Sequence, residues 1–344
     1  MRVLFDIGHP AHVHYFKHSI FYLLKNGGSV FIAARDRYPV FALLEAYDLS
    51  YYNRGKGKDS LSGKLIYLLE ADAKLYLKAK KFKPDLLVGF GSPYIAHVSK
   101  LLGKPSLIVD DTDNAQLNHR LYKSFARHIL TTSMFSHDFG AKHKRFDGYM
   151  ELAYLHPKYF IPDERVLRNF GLEVEDKFSI LRFVSWNANH DVGHKGISDQ
   201  QKIEAVNTFS KYGKVFITSE AGVPNELQAN VIQIEPHRLH DLMAFSSLLF
   251  GESATMASES AMLGVPSIYI DNDGRSYTDE LEIDYGLVKN FNESNESIAN
   301  AIEAGEKFLK LKDNSIFKRA QQQIIQDKTC FTDVLIAFLS NRLF

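Results

Sequence analysis

The sequence predicts an α/β protein built from two doubly wound parallel-sheet domains that face a cleft. The chain has 344 residues, which is too long for one small core and suits two domains of ordinary size. Short apolar runs alternate with amphipathic stretches in each half, as expected where helices cover both faces of a parallel sheet. Residues 149–172 break this alternation with mixed polarity and two prolines. We therefore expect domains at residues 1–160 and 172–328, and a last helix at 329–344 that packs back on the first domain.

The first half gives a regular order of strands and helices. The predicted strands are residues 2–7, 29–34, 85–90 and 106–110, and the predicted helices are residues 12–25, 39–47, 61–81 and 93–102. Binding residues are expected where these strands end, because parallel-sheet proteins hold ligands at the carboxyl ends of their strands.

The second half repeats the alternation after residue 172. The predicted strands are residues 178–184, 214–218, 231–234, 246–250 and 267–270, and the predicted helices include residues 199–212, 297–310 and 332–343.

The composition narrows the class of protein. Lys+Arg and Asp+Glu are equal at 41 each, so a nucleic-acid-binding surface is not expected. The single cysteine, Cys330, excludes an intrachain disulfide and a Cys-rich zinc site. The N-terminus has no signal-peptide pattern, and no apolar run approaches the roughly 20 residues of a membrane span. We expect a cytoplasmic protein. The basic residues 74–83 are interpreted as a solvated helix face, and peripheral contact with the inner face of a membrane stays open.

The strongest candidate site is the segment 251–259 (GESATMASE), between an apolar run and a predicted helix. A turn of small residues at a helix start presents backbone N–H groups and the positive end of the helix, which suits a diphosphate. Ser253, Ala254 and Thr255 would supply these amides. Glu259, one helical turn later, could accept hydrogen bonds from sugar hydroxyls. The alternative is an ordinary turn in which Ser253 or Thr255 caps the helix.

A second candidate site is the segment 6–14 (DIGHPAHVH), at the end of the first strand. Gly8 would let a ligand approach the backbone. His12 and His14 could act as a general base or bind phosphate, because the ordinary pKa of histidine lies near neutral pH. Asp6 could orient one of them. The alternative is that these histidines cap the helix or line a surface.

A metal site is a further interpretation of the same segment. His12-x-His14 at a strand end is typical of metal-dependent hydrolases, which need more His and Asp ligands at later strand ends. His190 and Asp191 are the available candidates. The helical period after His12 fits a loop-to-helix turn better, so no metal is expected.

A polar loop, residues 182–196 (RFVSWNANHDVGHKG), follows the first strand of the second half. Arg182 and Lys195 could offset the charge of a diphosphate, and Ser185 and Asn187 could donate hydrogen bonds. The alternative is a surface loop without a role in binding.

Two more turns lie at strand ends of the first half. In residues 110–114 (DDTDN), Asp110 and Asp111 could bind a divalent ion or act as a base, whereas Asp113 is interpreted as a helix N-cap. Residues 89–93 (GFGSP), which include Ser92, are expected to shape an acceptor pocket.

Taken together, these motifs resemble the bacterial and archaeal domain of unknown function family 354 over essentially the whole chain. The resemblance is carried by residues 6–14, 34–36 (ARD), 190–196 (HDVGHKG) and 254–259 (ATMASE). This family looks like the GT-B superfamily of sugar-nucleotide enzymes, which implies two Rossmann-like domains.

The chain is also similar in parts to the peptidoglycan-precursor N-acetylglucosaminyltransferase. The first loop of that enzyme reads Gly-x-Gly-Gly-His-Val and aligns with residues 8–13, although Pro10 and Ala11 replace two of its small residues. The resemblance places His12 near the acceptor. The Ser-Glu pair of its donor helix falls on Ser258 and Glu259, which implies that Glu259 grips the ribose.

Non-hydrolysing UDP-N-acetylglucosamine 2-epimerases share this architecture and are the main alternative. Their pattern has His-Gly-Asp after a middle strand of the first domain, and this chain has residues 89–92 (GFGS) in that region, without the acid. Epimerisation by elimination and re-addition needs several acid–base groups, so the missing acid favours transfer. A non-catalytic sugar-nucleotide-binding protein is a third hypothesis.

The sequence and the resemblance together predict a glycosyltransferase of surface polysaccharide biosynthesis. It would move a sugar from a nucleoside-diphosphate sugar, UDP-linked by preference, to a glycan or lipid-linked acceptor, without a metal or other cofactor. A homodimer stays open. The expected catalytic residues are His12, Asp111 and His14. The expected donor-binding residues are Arg182, Ser185, His190, Lys195, Ser253, Ala254, Thr255 and Glu259. The expected acceptor-side residues are Gly8, His9 and Ser92.

Overall fold

Two parallel β-sheets flanked by helices form the framework of the protein. The computed structural model describes residues 1–58, 60–113, 115–184, 196–219 and 222–340. The chain divides into two units, the first comprising Met1–Tyr154 with Lys328–Phe344 and the second Leu155–Asp327. Each unit contains one of the sheets.

The first sheet carries seven strands in the described residues. They are β1 (Arg2–Ile7), β2 (Ser29–Arg35), β3 (Tyr51–Gly55), β4 (Leu86–Phe90), β5 (Ser106–Asp110), β6 (His128–Thr132) and β7 (His143–Phe146). Their order in space is β3-β2-β1-β4-β5-β6-β7, and every neighbouring pair is parallel. The carboxyl ends of β1, β4 and β5 therefore lie side by side near the centre of the sheet, which is where such folds bind ligands.

The second sheet carries five strands in the described residues. They are β8 (Phe178–Phe183), β9 (Lys214–Ser219), β10 (Leu248–Gly251), β11 (Ser267–Ile270) and β12 (Val288–Phe291). Their order is β12-β11-β10-β8-β9, again wholly parallel. The chain reverses its direction of winding between β8 and β10, so the carboxyl ends of these two strands form the switch point of this sheet.

The helices follow the strands along the chain. They are α1 (Pro10–Lys25), α2 (Val40–Ala46), α3 (Leu61–Phe82), α4 (Pro93–Leu102), α5 (Gln116–Tyr122), α6 (Leu152–Leu155), α7 (Asp199–Phe209), α8 (Leu239–Phe245), α9 (Ala254–Met262), α10 (Ser276–Ile283), α11 (Asn295–Lys310), α12 (Ser315–Asp327) and α13 (Phe331–Leu339). Within the described ranges, no helix combines the length and the apolar character that crossing a bilayer demands.

The last helix, α13, packs within the first unit against α1. The Phe331 ring lies 6.5 Å from that of Phe16, and the Thr332 hydroxyl donates to the Ala153 carbonyl at 2.7 Å. Cys330 is a buried thiol at the start of the helix.

Several predicted elements agree with the structure to the residue. Strands β1, β5 and β11 and helix α4 have the predicted bounds. Helix α1 begins two residues earlier than predicted, because His9 is its N-cap and Pro10 takes the first helical position, where proline needs no hydrogen bond.

Two strand predictions need correction. Residues 231–234 do not form a strand: Val231 makes only an isolated bridge to Ile217, and a 3₁₀ turn at Pro236–Arg238 soon takes the chain away from the sheet edge. Strand β10 begins at Leu248 instead of residue 246, because Ser246 ends α8 and its hydroxyl donates to the Met243 carbonyl.

Candidate functional site

A buried ion pair stands at the carboxyl end of β1. Asp6 Oδ1 lies 3.0 Å from Nε of Arg54 on β3, and the Ser92 hydroxyl donates to Asp6 Oδ2 at 2.7 Å. Burial alone would lower the pKa of Arg54, but Asp6 and the neighbouring tyrosines raise it above its ordinary value. The guanidinium also lies over the Tyr94 ring, 4.2 Å from its centroid. Asp6 is committed to these partners, so the expectation that it orients a histidine is wrong.

Ser92 is part of this buried network. It is the N-cap of α4, accepting from the Ile95 N–H, and only 3% of its surface is exposed. Its hydroxyl therefore stabilises the turn after β4 from within. It also holds Asp6 in place from the side opposite Arg54.

His12 lies in the first turn of α1, half-buried beside Phe90, with 4.7 Å between ring centroids. Burial, followed by His9 and the positive charges of Arg37 and Arg54, lowers the pKa of His12 well below its ordinary value. The ring is therefore neutral at pH 7. The Gly8 N–H donates to its Nδ1 at 3.2 Å, so the proton of the neutral ring resides on Nε2. His12 thus presents a hydrogen-bond donor.

The other two histidines of this segment, His9 and His14, lie in different environments. His9 is the N-cap of α1, where its Nδ1 accepts from the Ala11 N–H. His14 is buried, with its ring stacked on Tyr154 at 5.0 Å and edge-on to Tyr47. Positions 12 and 14 point to different faces of a helix, so the structure does not bring His14 to the turn that holds His12.

Two adjacent aspartates lie at the carboxyl end of β5, Asp110 as its last residue and Asp111 directly after it. Their surroundings differ. Asp110 is buried and accepts from the Tyr122 hydroxyl at 2.8 Å and from the Thr112 N–H at 3.0 Å. Asp111 is half-buried and accepts from the Thr112 hydroxyl at 2.9 Å. Burial and the neighbouring Asp110 raise the pKa of Asp111 to about 7. Asp111 is therefore poised to exchange a proton near neutral pH.

The prediction that Asp113 caps a helix is wrong. Helix α5 begins at Gln116 with Ala115 as its N-cap. The Asp113 carboxylate instead accepts from the backbone N–H and the hydroxyl of Ser136, both at 2.7 Å. It ties the turn after β5 to the segment after β6.

In the second unit, the turn between β10 and α9 requires glycine. Gly251 has a φ of 153°, and a Cβ there would lie 2.0 Å from the Arg182 carbonyl oxygen. The Glu252 N–H donates to that same carbonyl at 3.0 Å. Arg182 lies opposite Gly251 on the neighbouring strand β8, at the edge expected for donor binding.

Glu252 was not among the predicted site residues, yet it organises this edge. Its buried carboxylate accepts from the Val184 N–H at 3.0 Å and the Ile197 N–H at 2.7 Å. It therefore fastens both flanks of the 182–196 loop to the start of α9. The predicted residues Ser185, His190 and Lys195 lie outside the described residues.

The N-terminus of α9 offers backbone donors. Ser253 is the N-cap, and its hydroxyl accepts from the Met256 N–H at 3.3 Å. The N–H groups of Ser253, Ala254 and Thr255 meet no acceptor within the described ranges. They lie at the positive end of the helix dipole. Capping and anion binding are therefore compatible here, because they use different N–H groups.

Glu259 is buried one turn into α9. Its Oε1 accepts from Nε2 of His240 on α8 at 2.8 Å, and Phe160 lies edge-on to the His240 ring. A carboxylate has about four lone-pair sites and can accept several hydrogen bonds at once. His240 was not predicted, because nothing in its local sequence indicates a partner nineteen residues away.

Within the described residues, no three His, Cys, Asp or Glu side chains gather in an arrangement suited to a metal ion.

The two parallel sheets flanked by helices give the protein an α/β fold of the GT-B type. The chain belongs to the family described as "Protein of unknown function (DUF354)", which matches residues 1–332. It is 26% identical over 279 residues to the uncharacterized protein MJ0665 of Methanocaldococcus jannaschii, covering 78% of this chain and 81% of that protein.

Solved structures confirm the fold at low sequence identity. The UDP-GlcNAc 2-epimerase of Neisseria meningitidis bound to UDP-GlcNAc superposes with a TM-score of 0.68 at 15% identity, covering 95% of this chain and 99% of that one. The spinosyn forosaminyltransferase SpnP superposes with a TM-score of 0.67 at 14% identity over the full length of both chains. Both epimerases and glycosyltransferases therefore share this architecture.

Proposed function

We propose that this protein is a GT-B-type glycosyltransferase of surface polysaccharide biosynthesis. It moves a sugar from a nucleoside-diphosphate sugar, of the UDP-linked class, to a glycan or lipid-linked acceptor. The observation that carries the proposal is the N-terminus of α9, where three backbone N–H groups stand one turn before the buried Glu259. A relative of the same fold was solved with UDP-GlcNAc and another is a forosaminyltransferase, which supports a nucleotide-sugar ligand.

The second unit binds the donor. The N–H groups of Ser253, Ala254 and Thr255 hold the diphosphate, and Gly251 lets the phosphates come close to the backbone. Arg182 adds positive charge as the diphosphate leaves. Glu259, oriented by His240, accepts from the ribose hydroxyls.

The first unit activates the acceptor. Asp111 takes the proton of the acceptor hydroxyl as the new bond forms between that oxygen and the anomeric carbon. The bond from the anomeric carbon to the diphosphate oxygen breaks, and its electrons leave with the nucleoside diphosphate. Asp111 suits this task because its pKa of about 7 lies near working pH. His12, neutral with its proton on Nε2, donates a hydrogen bond to the acceptor and is less suited to be the base.

Epimerisation is the second candidate, since epimerases share the fold. The sequence pattern of the 2-epimerases places an acid after the strand that corresponds to β4. In this chain the turn after β4 contains Ser92, whose hydroxyl donates to Asp6 within the buried network. A chain that lacks one acid–base group is less suited to elimination and re-addition at a single carbon.

The proposal is tested by incubating the protein with a panel of UDP-, dTDP- and GDP-sugars. Nucleotide release and sugar stereochemistry are followed together by NMR. Transfer predicts slow release of the nucleoside diphosphate that a suitable acceptor accelerates. Inversion of one sugar carbon would instead identify an epimerase, and binding that raises the melting temperature without turnover would identify a sugar-nucleotide-binding protein.

Glu259→Gln should weaken UDP binding by about ten- to a hundredfold, because hydrogen bonds to a charged group contribute about 1.5–3 kcal/mol. The glutamine keeps an oxygen for His240, so the fold should persist. Isothermal calorimetry measures the affinity. The matched control is Glu226→Gln, at an exposed carboxylate outside the site, which should bind UDP as the wild type does. Equal affinity in both variants would remove Glu259 from the donor site.

A lipid-linked acceptor would place the protein at the cytoplasmic face of a membrane, and α3 has a suitable surface. Leu65, Ile66, Leu69 and Leu77 on this helix are 50–66% exposed. Lysines interleave with these apolar side chains, and Lys74, Lys78 and Lys81 are exposed. Apolar side chains flanked by lysines are typical of helices that lie on anionic bilayers.

Leu65→Glu with Leu69→Glu should therefore abolish flotation with vesicles that contain anionic phospholipid. The wild type should float with these vesicles and not with neutral phosphatidylcholine vesicles. Ile283→Glu, at a side chain that is 80% exposed on α10, is the control and should float normally. Equal flotation of all three proteins would show that α3 does not contact the bilayer.

A further inference from the structure

A groove of about 600 Å³ lies in the first unit, between α5 and the segment that joins β6 to β7. Its volume is within the range of about 300–1,000 Å³ that is common for small-molecule sites. Its lining contains none of the residues that were given a donor or catalytic role above. It is lined from one side by His119, Arg120 and Lys123, and from the other by His137, Asp138 and Lys142.

The charges of the groove favour an anion. Arg120, Lys123 and Lys142 supply three cations, and none of them lies within ion-pairing distance of a carboxylate in the described ranges. The Lys142 ammonium donates to the Lys123 carbonyl, which holds the two lysines side by side on the groove wall. Burial and the charge of Lys123 lower the pKa of Lys142. The carboxylate of the groove, Asp138, is already engaged by the Gly140 N–H at 3.0 Å and by His143 Nδ1 at 3.3 Å. An incoming phosphate would therefore meet mostly uncompensated positive charge.

At one end of the groove, His119 and His137 contact the turn that contains Asp111. His119 Nε2 donates to the Thr112 carbonyl at 3.1 Å and lies 3.6 Å from Asp110 Oδ2. His137 Nε2 donates to the Asp113 carbonyl at 2.9 Å. The two imidazole rings stand 5.2 Å apart and nearly perpendicular to each other. The histidines thus fix the basic groove to the residues that flank the proposed base.

We propose that this groove binds the phosphate or diphosphate group of the acceptor, so that the acceptor is a phosphate-linked glycan whose free hydroxyl reaches Asp111. The guanidinium of Arg120 can bind two phosphate oxygens at once, and Lys123 and Lys142 add point charges. The inference rests on the proposed transferase function and adds the chemical class of its acceptor.

The test uses the full chain with its donor site first saturated with UDP, so that added anions report on the groove. Inorganic pyrophosphate and geranyl diphosphate are then titrated by calorimetry. Arg120→Gln with Lys123→Gln should raise the Kd of both ligands at least tenfold. The matched control is Lys100→Gln with Lys104→Gln, which removes the same charge from exposed positions of the same unit and should bind as the wild type does.

Comparing the two ligands distinguishes affinity for the diphosphate group from affinity for the lipid tail. Equal loss for both in the groove variant assigns the diphosphate to the groove, whereas loss confined to geranyl diphosphate would show that a lipid tail is bound and would overturn the assignment. Wild-type binding by the groove variant, or an equal loss in the control variant, would also overturn it. Failure of the transferase proposal is distinguishable, because the protein would then release no nucleotide from any sugar nucleotide whatever the groove binds.

Discussion

Asp111→Asn should lower the rate of sugar transfer by about 10²- to 10⁴-fold, the usual contribution of a positioned general base. The asparagine keeps an oxygen for the Thr112 hydroxyl but cannot take a proton from the acceptor. UDP affinity should be unchanged, because the proposed donor contacts lie on α9 and not at Asp111. Steady-state kinetics with saturating donor measures the loss. Full activity in the variant would move the base elsewhere, with His12 the next candidate.

The pH profile gives this prediction a second measurement. The pKa of Asp111 is about 7, so the carboxylate is protonated below neutral pH and ionised above it. The wild-type rate should rise with pH through about 7 and then level off, and the residual rate of the variant should lack this step. Asp113→Asn is the matched control. Because Asp113 helps to raise the pKa of Asp111, its removal should keep the rate and shift the rise to lower pH.

The melting temperature of Asp111→Asn shows whether its activity is lost because the base is gone or because the protein misfolds. The pKa of Asp111 is raised in the folded protein, from 3.8 to about 7. A carboxyl group that ionises less easily when folded costs stability as the pH rises from about 4 to about 7. Asp111→Asn removes that cost, so its melting temperature at pH 8 should equal or exceed that of the wild type. A lower melting temperature would attribute the loss of activity to the fold.

Arg54→Met should destabilise the first unit by about 3–5 kcal/mol, the usual result of breaking a buried ion pair from one side. The methionine fills most of the space of the arginine stem but leaves the Asp6 carboxylate without its charged partner. Both side chains of the wild-type pair are buried, with at most 3% of either exposed. Urea unfolding followed by circular dichroism measures the change. The same measurement on Arg54→Met with Asp6→Leu should recover much of the loss, since both buried charges are then gone.

An exposed ion pair provides the control for this effect. Arg165 pairs with Asp163 at 2.8 Å, but its side chain is 79% exposed. Water screens such pairs, so Arg165→Met should change the unfolding curve little. A small effect of Arg54→Met, comparable to that of Arg165→Met, would contradict the view that the Asp6–Arg54 pair stabilises the end of β1.

The sequence determined the elements with strong local signals. The buried parallel strands β1 and β5 each contain a continuous apolar run, residues 3–5 and 107–109, followed by an aspartate, so their bounds could be predicted. Helix α4 carries its own N-cap serine and first-turn proline. The short strands β3, β6 and β7 were not predicted, because their sequences (YYNRG, HILTT and HKRF) are partly polar and lack a clear period.

The candidate site was likewise predicted only in part from the sequence. The turn at residues 251–259 was predicted from small residues between an apolar run and a helix, and the structure places a helix N-terminus there. The choice among His12, His14 and Asp111 as base could not be made from the sequence. A pKa and a tautomer depend on burial and on neighbours that are distant along the chain.

The sequence by itself thus determined the parallel α/β class, the two alternating halves and the strand ends that carry the candidate residues, because hydrophobic period and turn residues are local properties. Only the tertiary structure decided which side chains act together. It paired Asp6 with Arg54, Glu259 with His240, and Glu252 with both flanks of the polar loop. The physical reason is that these partners come from different strands and helices, and their charges become energetically coupled only once folding has removed water from between them.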